Sequence, residues 1–145
     1  MHEDSIEDLV TPFLGGEVGE PRLLDSGTLR LQLFRGGEVM RSGPVLSVGT
    51  RSWRIDGDSG PIVAGGDAPR FIRDTVSILD GCEFRAFEAH RPSWDATFWF
   101  GEYALRVFPT VFRGPDADVP TWSFTLGGRR ALRVGVRGGW GVDHY

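Results

Sequence analysis

Ala96-Thr97-Phe98-Trp99-Phe100-Gly101-Glu102-Tyr103-Ala104-Leu105-Arg106-Val107-Phe108 decides the fold. Aromatic and β-branched residues crowd both sides of a Gly-Glu step, and the pattern predicts two strands, 96–100 and 103–108, joined by a tight hairpin turn. Phe98, Trp99 and Phe100 are consecutive apolar residues, so both faces of the first strand are expected to be covered, one by a helix. Such a strand belongs inside an antiparallel sheet.

Working outward, 82–89 reads as a strand and 90–95 as the turn into the hairpin. Before them, Asp67 is placed to cap a helix with Pro69 in its first turn, Phe71, Ile72, Val76 and Leu79 as its apolar stripe, and Gly81 as its left-handed stop. After the hairpin, a loop over 113–120 leads to strands at 121–126 and 130–136, turning at Gly127-Gly128, and Trp140 closes the domain. The N-terminal half follows a similar plan. Ser5 caps a short helix with Ile6, Leu9, Val10 and Phe13 on one face and Glu7 and Asp8 in its first turn. Gly15-Gly16 ends it. Strands are expected at 18–24, 28–34, 39–40, 45–48 and 52–55, the second with Leu29, Leu31 and Leu33 facing inward. The stretch 56–66, rich in glycine, reads as a loop.

The two halves look like one unit written twice, over 5–64 and 67–145. Leu14-Gly15-Gly16 and Leu79-Asp80-Gly81 stand 65 positions apart. Ile6, Phe13 and Pro44 fall on Phe71, Ile78 and Pro109 at that offset, and Leu29-x-Leu31-x-Leu33 falls on Ala96-x-Phe98-x-Phe100 two residues later. The expectation is one α+β domain over 1–145: a mostly antiparallel sheet or open barrel carrying two short helices, in two related halves.

Composition narrows the function. With 40% apolar residues, five Trp and ten Phe among 145 residues, the chain can fill a core, which argues against disorder. No apolar run reaches the ~18–20 residues that span a bilayer, and no leader pattern is visible, so the sequence predicts a cytoplasmic protein without membrane association. Cys82 is the single cysteine and reads as a small buried hydrophobe. All 16 basic residues are arginine, and lysine and asparagine are absent, which points to a high-GC bacterial genome. A net charge of −4 disfavours nucleic acid and suits a basic protein partner.

From Leu79-Asp80-Gly81 through Leu105-Arg106-Val107-Phe108-Pro109 to Trp122 and Gly138-Gly139-Trp140, the second half resembles a family of small, uncharacterised, duplicated α+β proteins from high-GC bacteria. Small acidic α+β proteins of that kind include immunity proteins that neutralise toxins. The resemblance therefore implies a binding role. Val119-Pro120-Thr121 depart from it, because the family carries an aromatic and a Glu before the Trp.

Several constellations have plain structural alternatives. Gly57-Asp58-Ser59-Gly60-Pro61 is similar to the serine-protease nucleophile turn, but one glycine is missing and the only preceding histidine is His2. Asp56 and Asp58 have calcium-loop spacing without the remaining ligands. His90, Ser93 and Asp95 share one short turn, too local for a relay. The glycine pairs lack phosphate-cradle context and are turns. Arg129, Arg130, Arg133 and Arg137 form a stripe expected to pair with surface carboxylates.

No catalytic residue, metal ligand or cofactor is predicted. The expected function is a non-catalytic protein-binding module, an immunity-type inhibitor of a basic toxin domain. Glu3, Asp4, Glu7, Asp8, Asp116 and Asp118 would provide its acidic face, and Trp94, Trp99 and Tyr103 its aromatic anchors. Two alternatives stand beside it: a small hydrolase or ligand-binding enzyme using Asp56, Asp58 or His90 between the halves, and a structural subunit of a larger assembly.

Overall fold

The computed structural model describes residues 5–36, 38–39, 44–49, 51–109, 119–127, 129–136 and 139–145. Helix α1 (Ile6–Val10) passes through a 3-10 turn (Thr11–Phe13) into β1 (Glu17–Leu23), β2 (Leu29–Arg35), β3 (Glu38–Val39), β4 (Val45–Val48), β5 (Trp53–Gly57) and β6 (Gly60–Ala64). Helix α2 (Pro69–Thr75), with its 3-10 turn Val76–Leu79, opens the second run: β7 (Phe84–His90), β8 (Asp95–Phe100), β9 (Tyr103–Val107), β10 (Trp122–Gly127), β11 (Arg130–Val136) and β12 (Gly139–His144). This is an α+β fold, mostly antiparallel, with two short helices.

Local chemistry explains the helix ends. The Ser5 hydroxyl accepts from the Asp8 N–H at 3.1 Å and the Asp8 carboxylate accepts from the Ser5 N–H at 3.3 Å, a reciprocal capping box. Each helix runs on through its 3-10 turn, and the helical course ends at a glycine in the left-handed region, Gly15 at φ +93° and Gly81 at φ +79°. Asp67 does not cap α2. That place falls to Ala68, which makes no side-chain cap, while the Asp67 carboxylate accepts from the Ala64 N–H at 2.8 Å at the end of β6. Nor does Phe71 join the stripe, being 49% exposed while Ile72, Val76 and Leu79 are buried. One residue turns a helix by about 100°, so Phe71 and Ile72 cannot share a narrow face.

The strands form two sheets instead of one. The first runs β1-β2-β4-β10-β11-β12, with β3 paired to β2, and the second runs β6-β5-β9-β8-β7. They meet face to face through aromatic side chains. Trp122 stands perpendicular to Phe98 at 5.1 Å and contacts Phe87 at 5.7 Å, while Phe124 of the first sheet packs on Phe84 of the second at 6.5 Å and on Phe13 at 5.1 Å. Along one side, a bridge between Glu17 and Glu83 and the bonds Phe84 N–H to Gly16 O and Val18 N–H to Cys82 O tie the sheets together. The opposite edges, β12 and β6, are not paired with each other among the described residues, so the barrel is not closed.

Two expectations change here. Residues 56–66 are not a loop: β5 continues to Gly57 and a turn at Asp58-Ser59 returns the chain as β6. Nor is β8 covered on both faces. It lies inside its sheet, and Phe98 and Phe100 are buried, but Trp99 points to the outer face and stays half-buried. The loop expected at 113–120 lies, through position 118, outside the described residues.

Both sheets draw strands from both sides of residue 65. At the heart of the first, Leu46 of β4 pairs with Leu31 of β2 and with Phe124 of β10; in the second, Leu105 of β9 pairs with Phe98 of β8 and with Ile55 of β5. The crossings match as well. Gly49 N–H donates to Thr121 O at 2.9 Å and Phe108 N–H donates to Ser52 O at 2.8 Å. No helix among the described residues is long and apolar enough to cross a membrane.

Candidate functional site

Alternation along β5 sends Trp53 and Ile55 into the core and Arg54 and Asp56 to the outer face of the five-stranded sheet. The register sets Arg54 directly opposite Arg106 of β9, a like-charge pairing that is unfavourable across two strands. Asp56 resolves it. Its carboxylate accepts from Arg54 Nε at 2.6 Å and Nη2 at 3.2 Å, and from Arg106 Nε at 2.8 Å. The Asp56 side chain is 17% exposed against 41% and 39% for the two arginines, so the carboxylate is the sheltered member. Arg106 Nη1 also reaches buried Thr97 Oγ1 at 3.5 Å, and the Arg54 guanidinium lies 5.8 Å above the Phe108 ring.

Burial alone would raise the Asp56 pKa, but hydrogen bonds and charge from Arg54 and Arg106 outweigh it and hold the group below the ordinary carboxylate range. Arg54 is correspondingly raised by its bond to Asp56. A carboxyl whose folded pKa is depressed stabilises the protein above its unfolded pKa, and that contribution disappears as pH falls through the folded value. Asp56→Asn should therefore flatten the acid limb of the Tm-against-pH curve. At neutral pH the variant is expected to melt a few degrees below the wild type, and the gap should narrow below about pH 4. Parallel curves in differential scanning calorimetry would remove Asp56 from the acid response.

Beside the cluster lies a solvent-open concavity of about 620 Å³, within the ~300–1,000 Å³ range of small-molecule sites. Small residues, Gly57, Gly101 and Ala104, line it together with Trp99, Arg85, Arg106, Asp56, Asp58 and Glu102. Trp99 sits between two alanines, Ala86 on β7 and Ala104 on β9, which leaves room beside the indole. Arg85 Nε donates to Gly101 O at 2.6 Å and pins the β8–β9 turn. That turn sets the Glu102 carboxylate and the Arg85 guanidinium on the same concavity. Burial first, then the charge of Glu102, raises both the Tyr103 hydroxyl and the Cys82 thiol; Asp58 adds to the first and Asp80 to the second.

Of the residues anticipated as partner contacts, Trp99 lines the concavity. Tyr103 starts the adjoining strand and packs at the edge of the core. Trp94 stands in the turn before β8, at φ +63°, under the Arg91 guanidinium at 5.3 Å, and also packs on the core. Glu7 and Asp8 are on α1, which packs against β7 and β10, and Asp8 is engaged in the capping box; neither lines the concavity. Glu3, Asp4, Asp116 and Asp118 lie outside the described residues.

For the enzymatic alternative, Asp56 and Asp58 do share the concavity, contributed by β5 and its turn against β8 and β9. His90 is elsewhere, its Nε2 3.4 Å from Glu88 Oε2 on the same strand. Arg133 of the basic stripe pairs with Asp143 at 2.6 Å, and Arg137 lies outside the described residues. Among the described residues, no three His, Cys, Asp or Glu side chains are grouped to hold a metal ion. Arg54, Arg85, Glu102 and Arg106 were not anticipated as site residues. The signal available was Arg54-x-Asp56, a charge pair at strand spacing. No protein family, curated protein or solved structure matches this chain.

Proposed function

We propose that this chain is a non-catalytic cytoplasmic binding module, an immunity-type inhibitor that docks a basic segment of a protein partner in the concavity on its five-stranded sheet. A further part of the proposal is that the two halves are related by duplication. Ladder positions then equate β1-β2-β4-β10-β11 with β7-β8-β9-β5-β6, and Trp122 with Trp53, which face Val48 and Val107 respectively. Pro44 and Pro109 drop out of that equivalence, since one precedes β4 and the other follows β9.

The observation that carries the function is a contrast between the two outer faces. Where the second sheet has Arg54, Asp56, Arg106 and Trp99, the equivalent positions of the first have Ser123, Thr125, Ser47 and Gln32. Arg22, Arg30 and Arg133 are charged on that first face too, but at these four positions it is neutral and carries no tryptophan. The cluster of two arginines, an aspartate and an indole therefore answers a need other than folding. Its negative end, at Glu102 and Asp58 beside Trp99, suits an arginine or lysine that makes both ion-pair and cation–π contacts. Asp56, ionised and held on both oxygens by arginine, is a poor proton carrier near neutrality, which favours binding over the hydrolase alternative.

The test is an NMR titration of the full chain with an arginine-rich peptide and, separately, a neutral glutamine-rich peptide of equal length, both with amidated C-termini. Saturable shifts at the Trp99 indole and the Gly57 and Gly101 amides are expected with the basic peptide alone. Glu102→Gln should weaken the affinity several-fold. Equal response to both peptides, or shifts that bypass Trp99, would overturn the docking site.

A further inference from the structure

We propose that the Arg54–Asp56–Arg106 cluster recognises a monoanionic carboxylate, with the apolar part of its carrier lying against Trp99. The geometry starts from donor accounting. A guanidinium has five N–H donors, and among the described residues Asp56 takes Arg54 through Nε and Nη2 and Arg106 through Nε, while Thr97 meets Arg106 Nη1. Arg54 Nη1 and Arg106 Nη2 remain for a ligand. Both side chains are about two-fifths exposed, so these donors are reachable from solvent.

Asp56 also sets the orientation. By gripping both Nε edges it fixes two planar forks side by side, and a fork held in place loses little further freedom on binding. Two arginines less one aspartate leave a net charge of about +1, which matches one carboxylate. A phosphate dianion would bring a second negative charge against Asp56 that this cluster does not balance, and is disfavoured. Trp99 and Arg106 line that concavity together, and Trp99 pairs with Ala104 on the strand that carries Arg106. An apolar group attached to the bound carboxylate has the indole face to lie on.

The inference rests on the docking reading and deepens it: the segment accepted would be bipolar, a cation at the Glu102 end and a carboxylate at the Arg106 end. It is tested separately from that reading with small probes on the full chain. Benzoate, inorganic phosphate and arginine amide are titrated in turn while the arginine Nε–H and tryptophan indole NMR signals are followed. Benzoate is expected to shift Arg54, Arg106 and Trp99 saturably. Arg106→Gln should abolish the response, Arg54→Lys should weaken it several-fold while keeping the charge, and Arg22→Gln should leave it unchanged. Thermal melts establish that each variant is folded.

Benzoate shifts without any arginine amide response would support the carboxylate site and remove the cationic end of the docking reading. Arginine amide binding without saturable benzoate shifts would do the reverse. Benzoate shifts spread equally over Arg22 and Arg30 would overturn the site as non-specific attraction, and tighter binding of phosphate than of benzoate would overturn the carboxylate assignment.

Discussion

Trp122→Ala is expected to cost about 3–5 kcal/mol of unfolding free energy, the range for a large aromatic removed from a packed core. Trp122 is fully buried on β10, where its ring meets Phe98 edge-on and Phe87 close by, so the truncation opens space at the seam between the two sheets. Against a total of roughly 5–15 kcal/mol for a domain, that loss is a large share. The cost of Trp122→Phe should be smaller, about 1–2 kcal/mol, for a specific reason. Trp122 Nε1 is buried with no hydrogen-bond partner among the described residues, and phenylalanine removes that polar group along with part of the volume. Trp53, buried opposite Val107 on β5 and with its own Nε1 likewise unpartnered among the described residues, should respond in the same order. Urea unfolding measures both series. A Trp122→Ala cost below about 1 kcal/mol would mean that the sheets do not pack through this ring.

Much of the strand pattern was legible because period-two alternation records which side of a strand meets the core. Leu29, Leu31 and Leu33 are all buried as their spacing predicts, the hairpin forms over 95–107, one residue from the anticipated ends, and Ser5 caps as its position suggests. Alternation does not record which strands become neighbours, and that accounts for most of what was missed. One sheet or open barrel was anticipated because nothing local distinguishes a strand that stays in its sheet from one that crosses to another. Asp56 looked like a loop residue for the same reason: a carboxylate in a strand is expensive until Arg106, fifty positions later, is seen to share it. The candidate site exists only through that register. Trp99 was singled out by aromaticity, which marks Trp94 equally, and only the three-dimensional arrangement puts Trp99 in the concavity with Asp56, Arg106 and Glu102 while Trp94 sits in a turn between Arg91 and the core.

Separated at Gly65-Gly66, the two halves of the chain are expected to lose folding altogether, each giving a flat thermal profile where the intact protein melts cooperatively. The strand exchange dictates this. The first half alone retains β1, β2 and β4 but leaves the free edge of β4 without β10, while its β5 and β6 form an isolated hairpin without β9. A lone hairpin is marginal in water at best, and the apolar faces of both pieces would be exposed. The second half has the complementary deficit: β9 lacks β5, and β10 lacks β4. Mixing or co-expressing the fragments should restore both central pairings and a cooperative transition, with a concentration-dependent Tm because the fragments associate as two molecules. The contrast with an ordinary two-domain chain is direct, since such a cut would there release two folded units. Circular dichroism melts together with size-exclusion chromatography decide it. A half that melts cooperatively as a monomer would refute the exchanged pairing of β4 with β10 and of β5 with β9, and with it the assembly of a site whose arginines come from opposite sides of residue 65.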